Sequence, residues 1–67
     1  MYNKRILLNN GNRKDLYLVC FEEKGEFRAC FIESKSQQYV GTACIYKSIL
    51  NVVKFAQKHH LKLYREN

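Results

Sequence analysis

The stretch LYLVCFEEKGEFRACFI, residues 16–32, decides the fold. It consists of two runs rich in aromatic, β-branched and other apolar residues, separated by a short polar segment around Lys24-Gly25. Such runs favour strands, and glycine favours a tight turn between them. A two-residue loop at Lys24-Gly25 places Glu23 opposite Glu26. The stretch therefore predicts an antiparallel hairpin with a defined register.

This register sorts the side chains onto two faces, because neighbouring residues of a strand point in opposite directions. One face carries a helix-packing set, namely Leu16, Leu18, Cys20, Phe27, Ala29 and Phe31. The other face is also largely apolar and aromatic, and it carries Tyr17, Val19, Phe21, Arg28, Cys30 and Ile32. A slip of one residue would exchange the two faces. A single helix can cover only one of them.

Shorter strands are predicted on both sides of this hairpin. Asn9-Asn10-Gly11-Asn12 favours a type I′ turn, which would join a strand at about residues 4–8 to the strand that begins near Lys14. After a polar loop at residues 33–36, residues 38–41 are predicted to form a short fourth strand. The predicted sheet is a meander of hairpins, the simplest connection available.

After Thr42 the apolar period changes from 2 to 3.6 residues, which predicts an amphipathic helix over about residues 45–59. Thr42 is a plausible N-cap, and Ser48 is the alternative that begins a shorter helix. His60 falls on the apolar side of this helix and is expected to be partly buried. Residues 61–65 alternate and are expected to return as a short edge strand.

Together these patterns predict one small α+β domain spanning residues 1–67. Its core is an antiparallel three- to four-stranded β-meander, followed by one amphipathic C-terminal helix packed on one sheet face. A short terminal strand is an additional expectation. A chain of 67 residues buries a low fraction of its surface and has little room for a deep substrate cleft. We therefore expect a protein that is not an enzyme and has no catalytic residues.

Metal and cofactor sites are not expected either. The three cysteines, Cys20, Cys30 and Cys44, lack the close pairing of structural zinc sites, and the first two point to opposite sheet faces. His59 and His60 lie at the far end of the helix from Cys44, too distant to activate its thiol. The odd cysteine number, with no signal peptide or long apolar run, favours free thiols in the cytoplasm and no membrane association.

The formal net charge of +6 belongs mostly to the second half of the chain. Residues 1–33 hold six basic against five acidic residues, whereas residues 34–67 hold six basic residues against Glu66 alone. The lysines of the predicted helix recur on one side. With the residues that follow them and one strand arginine, they form a candidate nucleic-acid surface consisting of Lys47, Lys54, Lys58, Lys62, Arg65 and Arg28.

Two functional hypotheses follow from these surfaces. The first is a small accessory or regulatory protein that binds nucleic acid through the basic helix face. The second is a protein-binding modulator or inhibitor, of the kind encoded by bacteria, phages or mobile elements. It would dock through an edge strand or through the aromatic sheet face at Tyr17, Val19, Phe21 and Ile32. Homodimerisation through the same face is a third hypothesis.

Overall fold

The computed structural model describes residues 4–66, which form a five-stranded sheet with one helix packed against it. The elements are β1 (Arg5–Asn9), β2 (Leu16–Glu23), β3 (Glu26–Glu33), β4 (Tyr39–Tyr46), α1 (Ile49–Lys58) and β5 (Leu63–Glu66). The strand order is β1-β5-β2-β3-β4. The predicted α+β class is confirmed, with β2, β3 and β4 forming an antiparallel meander.

The central hairpin has the predicted register. Glu23 pairs with Glu26, and the pairing continues without interruption to Leu16 and Glu33. Lys24 and Gly25 both have positive φ angles, 53° and 80°, which a two-residue type I′ turn requires at its central positions. This turn matches the right-handed twist of the two strands that it joins.

The core lies between α1 and one face of the sheet. Its buried members come from β2, β3, α1 and the segment that leads into β5: Leu18, Cys20, Ala29, Val52, Ala56, Leu61 and Leu63. The other members of the predicted helix-packing set, Leu16, Phe27 and Phe31, pack against this cluster and are partly buried. The assignment of this face to the helix is therefore confirmed.

The first predicted hairpin does not form. β1 pairs with β5 instead of β2, and β5 lies between them, antiparallel to β1 and parallel to β2. Leu61 and Leu63 are completely buried in the core, so β5 is an inner strand and not the predicted edge. Burial of these two leucines outweighs the local preference of the Asn-Gly sequence for a tight turn.

Gly11 is required by a close contact and not by its φ angle. A Cβ atom at this position would lie 2.4 Å from the carbonyl oxygen of His60 and 2.6 Å from the carbonyl carbon of Leu61. The backbone N–H of Arg13 donates to the same His60 oxygen over 3.1 Å, and the side-chain amide of Asn9 donates to the Leu61 oxygen over 2.9 Å. The loop between β1 and β2 is thus fastened to the connection between α1 and β5.

Gly11→Ala is expected to lower the free energy of unfolding by about 1–3 kcal/mol, because the added methyl group overpacks against rigid backbone. Gly25→Asn is the control, since that position faces open space and asparagine tolerates its positive φ of 80°. Urea unfolding followed by circular dichroism measures both variants. Equal stability of Gly11→Ala and the wild type would contradict the close contact.

The boundary between the fourth strand and the helix differs from the prediction. β4 extends through Tyr46, and the helix begins at Ile49 with Ser48 as its N-cap, whose hydroxyl accepts from the N–H of Leu50 over 3.2 Å. Thr42 lies inside β4 and caps nothing. Backbone pairing of β4 with β3, such as Ile45 with Arg28, takes precedence over the helical apolar period.

The helix ends with Lys58 as its last residue, one residue before the predicted end at about residue 59. His60 adopts a left-handed φ of 58°, and its N–H donates to Gln57 while that of Leu61 donates to Ala56. This pair of bonds is the Schellman motif, which normally uses glycine at the left-handed position. His60 is exposed, so the prediction that it is partly buried is wrong.

Candidate nucleic-acid interface

The sheet face opposite α1, called the open face below, carries the predicted aromatic set. Tyr17 and Phe21 are half-buried there, whereas Val19 and Ile32 are only 3% exposed beneath their neighbours on the same face. The ends of the described chain do not cover this face, because residues 5–9 and 63–66 join the sheet as strands. Residues 1–3 lie outside the described residues.

Further side chains extend the open face beyond the central hairpin. The strand register adds Tyr64 beside Val19, Leu7 beside Tyr64 and Ile45 beside Arg28. Leu7 and Ile45 are about half exposed, at 48% and 52%. The open face is therefore a partly exposed apolar and aromatic surface.

All four arginines of the chain are neutralised by carboxylates. The ion pairs are Arg5 with Glu66, Arg13 with Asp15, Arg28 with Glu23 and Arg65 with Glu22, at nitrogen–oxygen distances between 2.7 and 3.4 Å. The hydrogen bond to Glu66 raises the pKa of Arg5, and that from Arg13 lowers the pKa of Asp15. The positive charge of each arginine is thus largely balanced by a carboxylate of the same chain.

The lysines behave differently. Within residues 4–66, no lysine has a carboxylate within ion-pair distance, and every lysine is exposed. These residues are Lys4, Lys14, Lys24, Lys35, Lys47, Lys54, Lys58 and Lys62. The positive charge that a polyanion could contact is therefore lysine charge.

The structure does not bring the six predicted basic residues together on one surface. Lys54 and Lys58, one helical turn apart, are exposed on α1, and Lys47 directly precedes the N-cap. Lys62 lies beyond the helix, just before β5.

The two arginines of the predicted set lie on opposite faces of the sheet. Arg65 lies on the helix side, where its guanidinium stands 5.4 Å from the ring centre of Phe27 and contacts Glu22. Arg28 lies on the open face, and its Nε is 3.1 Å from a carboxylate oxygen of Glu23. That contact is ionic, since among the described residues the buried Nε has no partner with hydrogen-bond geometry.

A concave site combines lysine charge with aromatic rings. This cationic hollow of about 460 Å³ lies at the start of β2 and β5, and it is lined by Gly11, Asn12, Arg13, Lys14, Tyr17, Ser34, Lys62 and Tyr64. The lining contains three basic residues and no carboxylate. Lys14 and Lys62 are its unpaired cations, because Arg13 is held by Asp15.

Two tyrosines form the aromatic part of the cationic hollow. The rings of Tyr17 and Tyr64 are nearly perpendicular, at 79°, with centres 5.5 Å apart. The hydroxyl of Tyr17 donates to the side-chain oxygen of Gln37 over 2.6 Å and accepts from Arg5 over 3.4 Å. Tyr17 is therefore fixed from several sides, and it supports the ring of Tyr64.

Of the residues of the hollow, the sequence predicted Lys62 for nucleic-acid binding and Tyr17 for protein binding, but neither Lys14 nor Tyr64. The alternation of residues 61–65 does place Lys62 and Tyr64 on one side of a strand. Only the parallel pairing of β5 with β2 brings them next to Lys14, and no local pattern in the sequence indicates that pairing.

The two cysteines of the central hairpin lie in surroundings that favour the thiol over the thiolate. Burial raises the pKa of the Cys20 thiol and that of Cys30, which disfavours their thiolate forms. Cys20 lies in the core and Cys30 on the open face, as the confirmed register requires. Among residues 4–66, no three His, Cys, Asp or Glu side chains are grouped to hold a metal ion.

Two other surface hollows have different electrostatics. One, of about 440 Å³, is lined by Phe21, Tyr39, Arg65 and two carboxylates, Glu22 and Glu66. The other has two lysines and two acids, Lys14, Lys35, Asp15 and Glu33. Neither hollow offers an excess of positive charge, so of the three the cationic hollow is the one suited to an anion.

No helix in the described part of the chain is long and apolar enough to cross a membrane.

The cationic hollow provides positive charge beside aromatic rings, which suits a ligand that carries both phosphate and a planar base. No protein-family model, no curated protein and no solved structure matches this chain.

Proposed function

We propose that this protein binds nucleic acid, as a non-enzymatic accessory or regulatory protein, through the cationic hollow. The observation that carries the proposal is the composition of the hollow: two lysines that have no ion-pair partner among residues 4–66 and two tyrosines, with no carboxylate in the lining. Lysines that have no internal partner can release counterions from a phosphate backbone, which is the main source of affinity in non-specific binding.

The lysines of the helix side offer a second positive area. Lys54 and Lys58 are exposed on α1, which packs on the sheet face opposite Tyr17 and Tyr64. One flat ligand cannot contact both areas at once. The hollow is preferred because it is concave and joins charge to aromatic surface, whereas an exposed helical row of lysines is common on small basic proteins.

The test is a fluorescence anisotropy titration with labelled DNA and RNA at several salt concentrations. We expect binding at about 50 mM salt whose affinity falls steeply as salt rises, since about 0.7 to 0.9 counterions are released per phosphate contact. Undetectable binding to both nucleic acids at low salt would overturn the proposed function.

Protein binding through β4 is the second candidate function, and the composition of this edge strand favours it. The eight residues Tyr39–Tyr46 contain no charged residue, and their outer backbone edge has no strand partner among residues 4–66. Tyr39 is 69% exposed beside it. Edge strands usually carry charges or proline that prevent pairing with another chain, so an uncharged edge suits strand addition by a partner.

β1, the opposite edge, begins with Arg5 and follows Lys4, which makes it less suited to pairing with a second basic copy. If β4 pairs with another copy of itself, light scattering will report a dimer. Ile45→Lys would then restore the monomer, because it places a charge on the uncharged edge strand of each copy. A monomer at all concentrations would contradict self-pairing at this edge.

A further inference from the structure

The chemistry of the cationic hollow distinguishes between the forms of nucleic acid that it can bind. We infer that its ligand is single-stranded, with one unstacked base against the ring of Tyr64 and the adjacent phosphates at Lys14 and Lys62. This inference rests on the proposed function and narrows it to a class of ligand.

One face of the Tyr64 ring is not covered by Tyr17. Tyr17 meets Tyr64 edge to face at 79°, so the two rings do not stack on each other. An edge-on neighbour covers at most one face of a ring, which leaves Tyr64 with a face that Tyr17 does not cover. A planar base can stack on such a face, and stacking of this kind tolerates any base because every base has a π surface.

Tyr64, and not Tyr17, is the tyrosine placed to receive the base. The hydroxyl of Tyr17 is engaged by Gln37 and Arg5, so its ring is immobilised as a support. Within the described residues, the hydroxyl of Tyr64 has no hydrogen-bond partner. Tyr64 can therefore adjust its ring to a ligand, and its half-buried position on the open face keeps it accessible from the hollow.

Two lysines place positive charge in the same hollow as Tyr64. Lys62 is two residues before Tyr64 in an extended segment, about 7 Å along the strand. Lys14, which precedes β2, lines the same hollow as Lys62 and Tyr64. Ammonium groups that share a hollow with an aromatic ring can contact the phosphates that flank a stacked base. A volume of about 460 Å³ suits a single nucleotide.

A duplex suits the hollow less well than a single strand. In a duplex both faces of each internal base are stacked on neighbours, so a tyrosine ring at the surface reaches only backbone and groove edges. The cationic hollow would then contribute its lysines but not its rings. A single strand can turn one base out of its stack, which is how sheet-face modules recognise single strands.

The experiment compares wild type, Tyr64→Leu, Tyr64→Phe and Tyr39→Leu by anisotropy titration. The probes are a short labelled oligonucleotide of mixed sequence, free of self-complementarity, and its duplex, each as DNA and as RNA. We expect the wild type to bind the single strand at least tenfold more tightly than the duplex. Tyr64→Leu should lose about tenfold in single-strand affinity and nothing in duplex affinity.

Two variants separate stacking from structural damage. Tyr64→Phe keeps the ring and should retain the single-strand affinity. Tyr39→Leu removes an exposed tyrosine outside the hollow and should have no effect. Equal wild-type affinity for single strand and duplex, or full binding by a folded Tyr64→Leu variant, would overturn the inference while the proposed function stands. Absence of binding to every probe would overturn both.

Discussion

Replacing both Lys14 and Lys62 with glutamate is expected to weaken binding to a single-stranded oligonucleotide about a hundredfold at 50 mM salt. Each substitution removes one phosphate contact and places a negative charge at the same position in the hollow. The loss of two contacts should also flatten the dependence of log affinity on log salt by about 1.4, since each single-strand contact contributes about 0.7. Anisotropy titrations at four or five salt concentrations measure both quantities.

The matched control is the double variant Lys54→Glu with Lys58→Glu, which changes the net charge by the same amount on the helix side. If the cationic hollow binds the ligand, this control should lose only the small part of the affinity that depends on overall charge. Equal losses of affinity in the two double variants would mean that binding depends on net charge and not on the hollow. A larger loss in the control would assign binding to the basic helix face.

Leu63→Ala is expected to have the largest effect on stability. Leu63 is completely buried in the core at the start of β5, the strand that holds β1 to the rest of the sheet. Truncation of a buried leucine costs about 2–5 kcal/mol through lost apolar contacts and the cavity left behind. The free energy of unfolding of a 67-residue chain is about 3–10 kcal/mol in total, so the variant should lose a large share of its stability and unfold at a much lower urea concentration.

Leu50→Ala provides the control for this prediction, because it makes the same chemical change at a leucine that is 64% exposed on α1. Its free energy of unfolding should stay within about 0.5 kcal/mol of the wild type. Urea unfolding monitored by circular dichroism measures both variants. A Leu63→Ala protein as stable as Leu50→Ala would contradict the placement of β5 inside the sheet.

The parts of the fold that depend on local pattern were predictable from the sequence. The turn at Lys24-Gly25 specifies the register of the central hairpin, and that register specifies which face meets the helix. The position of β5 was not predictable in the same way. Its alternation indicates a strand, but whether that strand lies at an edge or inside the sheet depends on contacts between residues distant in the chain.

The Asn-Gly sequence near Gly11 shows why a strong local signal can mislead. It favours a tight hairpin, yet the same glycine also permits close approach of the backbone at His60 and Leu61. In this protein the close approach of the backbone determines the structure around Gly11, and the tight hairpin does not form. The N-cap shows a similar competition, because strand pairing retains Thr42 in β4 and leaves the cap to Ser48.

For the candidate site, the sequence indicated the kinds of residue but not their grouping. The lysine-rich second half and the aromatic open face were both visible as patterns. The cationic hollow joins one member of each, Lys62 and Tyr17, to Lys14 and Tyr64. Because β5 lies beside β2, residues far apart in the chain share one concave surface, and periodicity within a segment carries no information about that pairing.

The central claim is that nucleic acid binds at the cationic hollow, and a titration of the ¹⁵N-labelled protein with an unlabelled single-stranded oligonucleotide tests it most directly. The backbone amide signals report which residues change environment on binding. We predict that the largest shifts cluster at residues 11–17 and 61–65, with small shifts along Tyr39–Tyr46 and the outer side of α1. Shifts confined to β4 or to the helix lysines, or no shifts at all, would contradict the claim.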